Sequence, residues 1–339
     1  MKTLEEMVGA RLAVGLAGPA VSDEELATLR RIRVRNLIAF SRNVVSAEQF
    51  RSLVRRLEAA LGDRVLVLVD HEGGRIVRFG EGVEGVTRFP DALTVGRTRQ
   101  PDDVERQGAV EAEELKRLGI RVNLAPCADV LEPSSDPVIG DRAYGSDPTL
   151  VAALVAARIR GLQSHGVAAC AKHFPGLGAV PSDPHRVLPT IRLSAAQMER
   201  HLAPFHAAIE AGVAMIMSSH VCYPSLGDPE GLPATYSHRI IQTLLRGRMG
   251  YSGVVVTDDL EMGALRGASG SLGAVAVRAA AAGHDLLLIG SASAAALAAH
   301  AALTAAYGRG ALPRGDAETS VERIEMLRRR FFSHDSCSP

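Results

Sequence analysis

The sequence predicts a single-domain (β/α)8 barrel of the TIM type, on three observations. Short, continuous apolar runs recur eight times along 339 residues, and stretches of helical character lie between them. Neither G-x-G-x-x-G nor G-x-x-x-x-G-K-[ST] follows the first run, which removes the main support for a nucleotide-binding open sheet. Continuous apolar runs are what parallel strands buried on both faces require. Eight such units in about 300 residues suit a closed barrel better than a doubly wound sheet.

The predicted strands are RLAVGLAG (11–18), RNLIAFS (35–41), RVLVLVD (64–70), IRVNLAP (120–126), VAACAKH (167–173), VAMIMSS (213–219), GVVVTDD (253–259) and HDLLLIG (284–290). The first is short and leads into VSDEE, and Glu5 and Glu6 stand where a secretion signal carries positive charge. It therefore reads as a strand. Between strands, SAEQFRSLVRRLEAALG (46–62) follows a Ser cap, DPTLVAALVAARIRGLQSHG (147–166) opens on an Asp cap and ends at Gly, and SAAQMERHLAPFHAAIEAG (194–212) repeats the pattern. The long interval 71–119 is expected to hold extra loop structure. The Ala-rich stretch 273–306 reads as helix on both sides of HDLLLIG. The barrel domain is placed at 1–330, and the tail 331–339 (FFSHDSCSP) is expected to fray.

Composition narrows the function. Lys+Arg and Asp+Glu are both 38, a balance that argues against a polyanionic partner such as nucleic acid. Hydrophobic residues make up 47%, yet no apolar run is long enough to span a membrane. Cys127, Cys170, Cys222 and Cys337 show no C-x-x-C spacing, so free thiols in a reducing, cytoplasmic setting are expected.

Barrel enzymes gather their chemistry at the C-terminal ends of the strands. Here those ends carry Asp70, Lys172 with His173, His220, and Asp258 with Asp259. In VDHEGGRIVRF (69–79) the Gly pair permits a tight turn, which leaves Asp70 and Arg78 to grip hydroxyls or an anion. Arg142 sits among turn residues in PVIGDRAYGSDP (137–148), where a lone arginine is ordinarily just solvated. Lys172 ends a buried strand, a costly position unless it faces a polar cavity. Asp183 and His185 stand two apart on a Pro-interrupted loop, and an Asp beside a His fixes its tautomer and stabilises its charged form. Asp258 suits a nucleophile, a base or a metal ligand. Adjacent residues leave a strand on opposite faces, so Asp259 is expected to turn away and cap the next helix.

These motifs, in this order, resemble family 3 glycoside hydrolases, in particular the bacterial β-N-acetylhexosaminidase branch that trims N-acetylglucosamine from cell-wall muropeptides. The resemblance rests on DHEGGRIVR (70–78), RFPDA (88–92), NLAPCADV (123–130), PVIGDRAYGSD (137–147), KHFPGLGAVPSDPH (172–185) and VVTDDLEMGA (255–264). It implies a retaining hydrolase with Asp258 as nucleophile, His185 as general acid/base and Asp183 as its partner. It assigns Asp70, Arg78, Arg142, Lys172 and His173 to sugar binding. It implies no metal and no cofactor, and a small carbohydrate as the partner of a monomeric chain. With aromatics at 4% and no Trp, a sugar would be held by hydrogen bonds more than by stacking. Two positions depart from the family pattern. Leu177 stands where His is usual, and Pro184 stands where Ser is usual.

Three other readings remain open on the residues. Phosphate could replace water as acceptor, because a histidine base repels an anion less than a carboxylate does. A metal-dependent barrel hydrolase could use His173, His185, His220 and Asp258. A silent sugar-binding barrel could carry the same fold without turnover.

Overall fold

Each of the eight apolar runs forms a strand: β1 (Leu12–Gly15), β2 (Asn36–Ala39), β3 (Leu66–Val69), β4 (Val122–Asn123), β5 (Ala168–Phe174), β6 (Met215–Ser218), β7 (Val254–Thr257) and β8 (Leu287–Ile289). The computed structural model describes residues 2–333 except 81, 134 and 292. All paired strands are parallel, in the order β7-β6-β5-β4-β3-β2-β1-β8. The two ends of that sheet meet where Val256 bridges Leu286, with the Thr257 N–H donating to the Leu286 carbonyl at 3.1 Å, so the barrel closes.

The period of two along each strand divides the core into two layers. Ala13, Ile38, Leu66, Leu68, Val254 and Val256 fill the barrel interior. Leu12, Val14, Leu37, Val67, Val69 and Val255 face outward onto the helices. Both faces are apolar, which is why the strands read as unbroken runs.

The helices are α1 (Leu4–Ala10), α2 (Asp23–Arg31), α3 (Ala47–Leu61), α4 (Ala92–Thr98), α5 (Pro101–Arg117), α6 (Pro148–Ser164), α7 (Ala195–Glu210), α8 (Gly263–Ser269), α9 (Leu272–Ala282), α10 (Ser293–Gly308) and α11 (Arg314–Phe332), with a π-helical segment Arg239–Arg248 before β7. The expected caps are made. Ser46, Asp147 and Ser194 accept from the first-turn N–H groups of α3, α6 and α7. In α3 the buried residues Phe50, Leu53, Val54 and Leu57 form one helical stripe.

Two expectations change. The interval 71–119 holds more than loop, because α4 and α5 lie in it. The buried face of α5 includes Gln107, Glu111 and Glu114, which mask its helical period, and Glu111 is matched by Arg158 of α6 at 2.5 Å. The chain also stays ordered past 330. Helix α11 crosses the N-terminal end of the barrel, where Ile324, Leu327 and Phe331 join the interior core. Phe331 is fully buried, and Phe332 packs beside it under the guanidinium of Arg64. The rest of the stretch expected to fray, 334–339, lies outside the described residues, as does Cys337. Cys127, Cys170 and Cys222 are buried free thiols. No helix among the described residues is long and apolar enough to cross a membrane.

The plug makes a measurable contribution. Phe331→Ala should lower the unfolding free energy by about 3–5 kcal/mol, read from the urea midpoint at unchanged slope. A loss below about 1 kcal/mol would mean that the barrel floor collapses onto the gap.

Candidate active site

Lys172 is 2% exposed at the end of β5, so its charge needs partners. Its Nζ donates to Asp70 Oδ1 at 2.7 Å and lies 2.6 Å from Glu72 Oε1. Arg78 Nη2 donates to the other Asp70 oxygen at 3.0 Å. Arg142 forks onto Glu72, Nη2 to Oε1 at 2.8 Å and Nε to Oε2 at 2.9 Å. The charges therefore alternate as Arg78, Asp70, Lys172, Glu72, Arg142, from the ends of β3 and β5 and the loop after β4. Burial alone favours the neutral carboxyls, but the flanking cations prevail. Lys172 and Arg78 hold Asp70, and Arg142 and Lys172 hold Glu72, below the usual carboxylate range. Burial likewise opposes the Lys172 charge, and Asp70 and Glu72 overcome it, raising the ammonium above the ordinary lysine value.

Glu72, within DHEGG, is a site residue that the sequence alone does not single out. Its signal was an acid between an apolar strand and a Gly pair, in a loop also rich in cations. The Gly pair is a requirement of space. Gly74 has φ 53°, and a Cβ there would lie 2.6 Å from Asp91 Cβ, so RFPDA packs directly on this turn.

His173 is held from both sides. Arg142 Nη2 lies 3.2 Å from its Nε2 and has no lone pair to offer, so Nε2 accepts and the ring proton sits on Nδ1. That proton is donated to Asp129 Oδ2 at 2.8 Å. Asp129 also accepts from the His173 and Leu177 N–H groups and from the Cys127 thiol. Asp129, within NLAPCADV, is likewise not marked out by the sequence. Leu177 is buried in the outer core.

Asp258, just past β7, is partly buried. Burial pushes its pKa up, but His220, His173 and the Asp259 N–H, which donates to Oδ1 at 2.8 Å, hold it below the usual range. Asp259 does not turn away to cap α8 as expected; it borders the same cavity as Asp258. Its Oδ1 accepts from the Glu261 and Gly290 N–H groups, tying the β7 loop to the end of β8. Burial lifts its pKa to about 6. The residue at the cap position of α8 is Met262. His220 is buried behind the site, one ring nitrogen on Thr235 Oγ1 and the other on the Asp259 carbonyl.

The loop after β5 carries His185, whose side chain is 60% exposed. Its Nδ1 lies 2.7 Å from Asp183 Oδ1, which also accepts the His185 N–H at 2.9 Å. Burial raises the Asp183 pKa, but the bonds from His185 outweigh this and lower it, so the pair is an anchored carboxylate and a ring whose Nε2 has no hydrogen-bond partner among the described residues.

One cavity of about 280 Å³ joins these groups. Asp70, Arg78, Arg142, Lys172, His173, His185 and Asp258 all line it, over an apolar floor of Ile38, Leu124, Met217 and Leu288. Asp183 stands behind His185, and His220 stands outside the lining. Among the described residues, the one trio of potential metal ligands close enough to share an ion is Cys127, Asp129 and His173. Burial and Asp129 push the Cys127 thiol well up, which keeps it a proton donor to that carboxylate. His185, His220 and Asp258 do not converge with His173, so the four-ligand metal site is not formed.

A barrel mouth with an ionised carboxylate, an anchored imidazole and a wall of charged hydrogen-bonding groups has the chemistry to hold a polar, hydroxyl-rich molecule. Comparison with known proteins makes this specific. Residues 3–327 match the glycosyl hydrolase family 3 N-terminal domain. A beta-hexosaminidase of Bordetella avium is 37% identical over 285 residues, covering 81% of this chain and 79% of that one. The solved structure of a family 3 beta-N-acetylglucosaminidase from Paenibacillus is 37% identical with TM-score 0.93, and it is matched over 98% of this chain. The present chain spans 63% of that longer protein. A beta-N-acetylhexosaminidase from Beutenbergia cavernae superposes with TM-score 0.86 at 28% identity, over 96% of this chain and 98% of that one. The chain belongs to glycosyl hydrolase family 3 and is by family a glycoside hydrolase.

The alternating charges predict a pH-dependent stability. Carboxylates with lowered native pKa values lend stability above the usual carboxylate range and lose it as the pH falls through those lowered values. Lys172→Met returns Asp70 and Glu72 towards ordinary values. It should cost about 3 kcal/mol or more at neutral pH in urea unfolding. The gap to wild type should narrow on acidification below about pH 4. A gap independent of pH would show that Lys172 contributes by packing alone.

Proposed function

We propose that the chain is a retaining β-N-acetylglucosaminidase that removes terminal N-acetylglucosamine by double displacement. The observation that carries this reading is a single cavity lined by an ionised carboxylate, Asp258, and by an imidazole, His185, whose Nδ1 is anchored on Asp183. In the first step an Asp258 oxygen bonds to the anomeric carbon and the bond to the leaving oxygen breaks, while protonated His185 gives that oxygen its Nε2 proton. In the second step a water oxygen bonds to the anomeric carbon, the Asp258 ester bond breaks, and neutral Nε2 takes the water's proton. This is the retaining scheme with a histidine in place of the second carboxylate. Asp183 keeps Nε2 towards the sugar in both steps and stabilises the imidazolium.

Asp70, Arg78, Arg142 and Lys172 offer the wall on which sugar hydroxyls bind. His173 has both ring nitrogens engaged, so its part in sugar binding is to orient Arg142. The names of the relatives support a 2-acetamido sugar, and the natural substrates we assign are muropeptides or related β-glycosides, handled in the cytoplasm by a monomer without metal or cofactor.

Two measurements test this. On a panel of aryl β-glycosides the N-acetylglucosaminide should be turned over fastest, exhaustive chelation should leave the rate intact, and added phosphate should yield no sugar 1-phosphate. A faster glucoside, or a loss restored by zinc, sinks the assignment. Protonation matters most for poor leaving groups, so His185→Ala should slow glycosylation by a sugar glycoside by ~10²–10⁴-fold while a nitrophenyl glycoside still gives its burst. Asp258→Ala should cripple both substrates, and Asp183→Ala should follow His185→Ala without adding to it in the double variant. Equal first-step losses on both leaving groups in His185→Ala would leave that residue only a positioning role.

A further inference from the structure

The loop that carries His185 is fastened at both ends and lightly held in the middle. The Gly178 and Val180 carbonyls accept from the Glu132 and Asp136 N–H groups at 2.8 Å. At the far end Pro189 and Ile191 pair with Cys222 at 3.0 Å. Between these anchors Pro184 is buried, but Arg186 and His185 have exposed side chains and Val187 is 51% exposed, so side-chain packing does little to fix residues 185–187. Among the described residues the tip is tied to another element by two hydrogen bonds. The Gly263 N–H donates to the His185 carbonyl, and the Ala264 N–H donates to the Pro184 carbonyl, both at 3.0 Å.

Gly263 allows this contact because it has no side chain. A Cβ there would lie 2.5 Å from the His185 oxygen, 2.7 Å from the Arg186 oxygen and 2.9 Å from the Arg186 carbonyl carbon. All three are backbone atoms, so no rotamer change relieves the overlap. Pro184, buried against this surface, fixes its own φ and biases Asp183 towards extended backbone, which helps present two successive carbonyls. The same segment bears Asp258 five residues earlier and Met262 in the cavity wall. The nucleophile and the proton carrier are thus registered to each other through one backbone contact.

We propose that Gly263 is a positioning residue. Its bare backbone is the seat on which the His185 loop docks, and docking there sets the proton-transfer steps without touching the substrate. The inference rests on the acid/base reading of His185. A side chain at 263 should therefore behave like partial loss of His185 and not like loss of Asp258.

The test is Gly263→Ala, with its thermal unfolding midpoint checked against wild type. Turnover of an unactivated sugar glycoside should fall by roughly 10²-fold, while the nitrophenyl burst stays within about threefold. Placing Gly263→Ala in a His185→Ala background should add no further loss, because residues acting as a unit are not additive. Azide, an anionic nucleophile that needs no base, should speed nitrophenyl turnover by Gly263→Ala and leave wild type unchanged. Trypsin should cut after the exposed Arg186 several-fold faster in Gly263→Ala, reporting undocking without reference to catalysis. Equal losses on both leaving groups, additivity with His185→Ala, or an unchanged trypsin rate would each overturn the seat. A wild-type protein that cleaves no N-acetylglucosaminide would instead overturn the functional reading, and the trypsin rates would then decide the seat alone.

Discussion

Two carboxylates shared among three cations hold the mouth of this barrel together. Lys172 enters a nearly water-free position because Asp70 and Glu72 await it there, and those acids remain ionised because Arg78 and Arg142 close the row at either end. Removing any one charge leaves its neighbours desolvated and uncompensated, a state far more costly than the pair is worth when intact. The row therefore fixes the ends of β3 and β5 and the loop after β4 in one relative geometry. A sugar entering the cavity meets donors and acceptors already aimed and already ionised, so little reorganisation accompanies binding. The surplus of one positive charge also favours the ionised form of Asp258, and Lys172 is among the groups that lower its pKa.

Opposite this rigid wall stands a deliberately light one. The imidazole that we assign to proton transfer is more than half exposed, on a loop whose middle is secured by backbone contacts to a glycine and an alanine. The contrast fits the two tasks. A nucleophile and a sugar cradle gain from fixed positions, whereas a group that must first give and then take a proton gains from access to water. Pro184 stiffens the loop locally in place of a second polar side chain, so the chain controls the geometry of this segment through its backbone.

Much of the architecture was legible because barrel strands are apolar on both faces and helix starts carry their caps in sequence. All eight runs became strands, and Ser46, Asp147 and Ser194 stand where the helices begin. Of the residues picked from strand ends, Asp70, Lys172, His173, Asp258 and Asp259 line one cavity, because strand ends in a parallel barrel share one rim, while His220 lies behind it. What stayed hidden was set by contacts between distant segments. Glu72 acquires its meaning from Lys172 and Arg142, and Asp129 from His173, and no local pattern reports such pairings. Helix α5 is hard to read in sequence because its buried side bears polar residues whose partners lie far away, Glu111 on Arg158 of α6 and Glu114 on Thr87. Phe331 looked like the start of a loose tail because its partners lie inside a barrel assembled elsewhere in the chain.

That last arrangement sets an order in time. Strand β1 is among the first elements to be synthesised, yet one of its edges is filled only by β8, where Leu12 pairs with Leu287, and the floor beneath it is sealed only by α11. Through most of translation the nascent chain must carry an open edge of buried-type strand, a natural template for unwanted pairing with another chain. Contacts of such sequence separation also close slowly, because loop entropy is lost before the pairing is gained. The burden of avoiding aggregation therefore falls on the interval before residue 331 emerges.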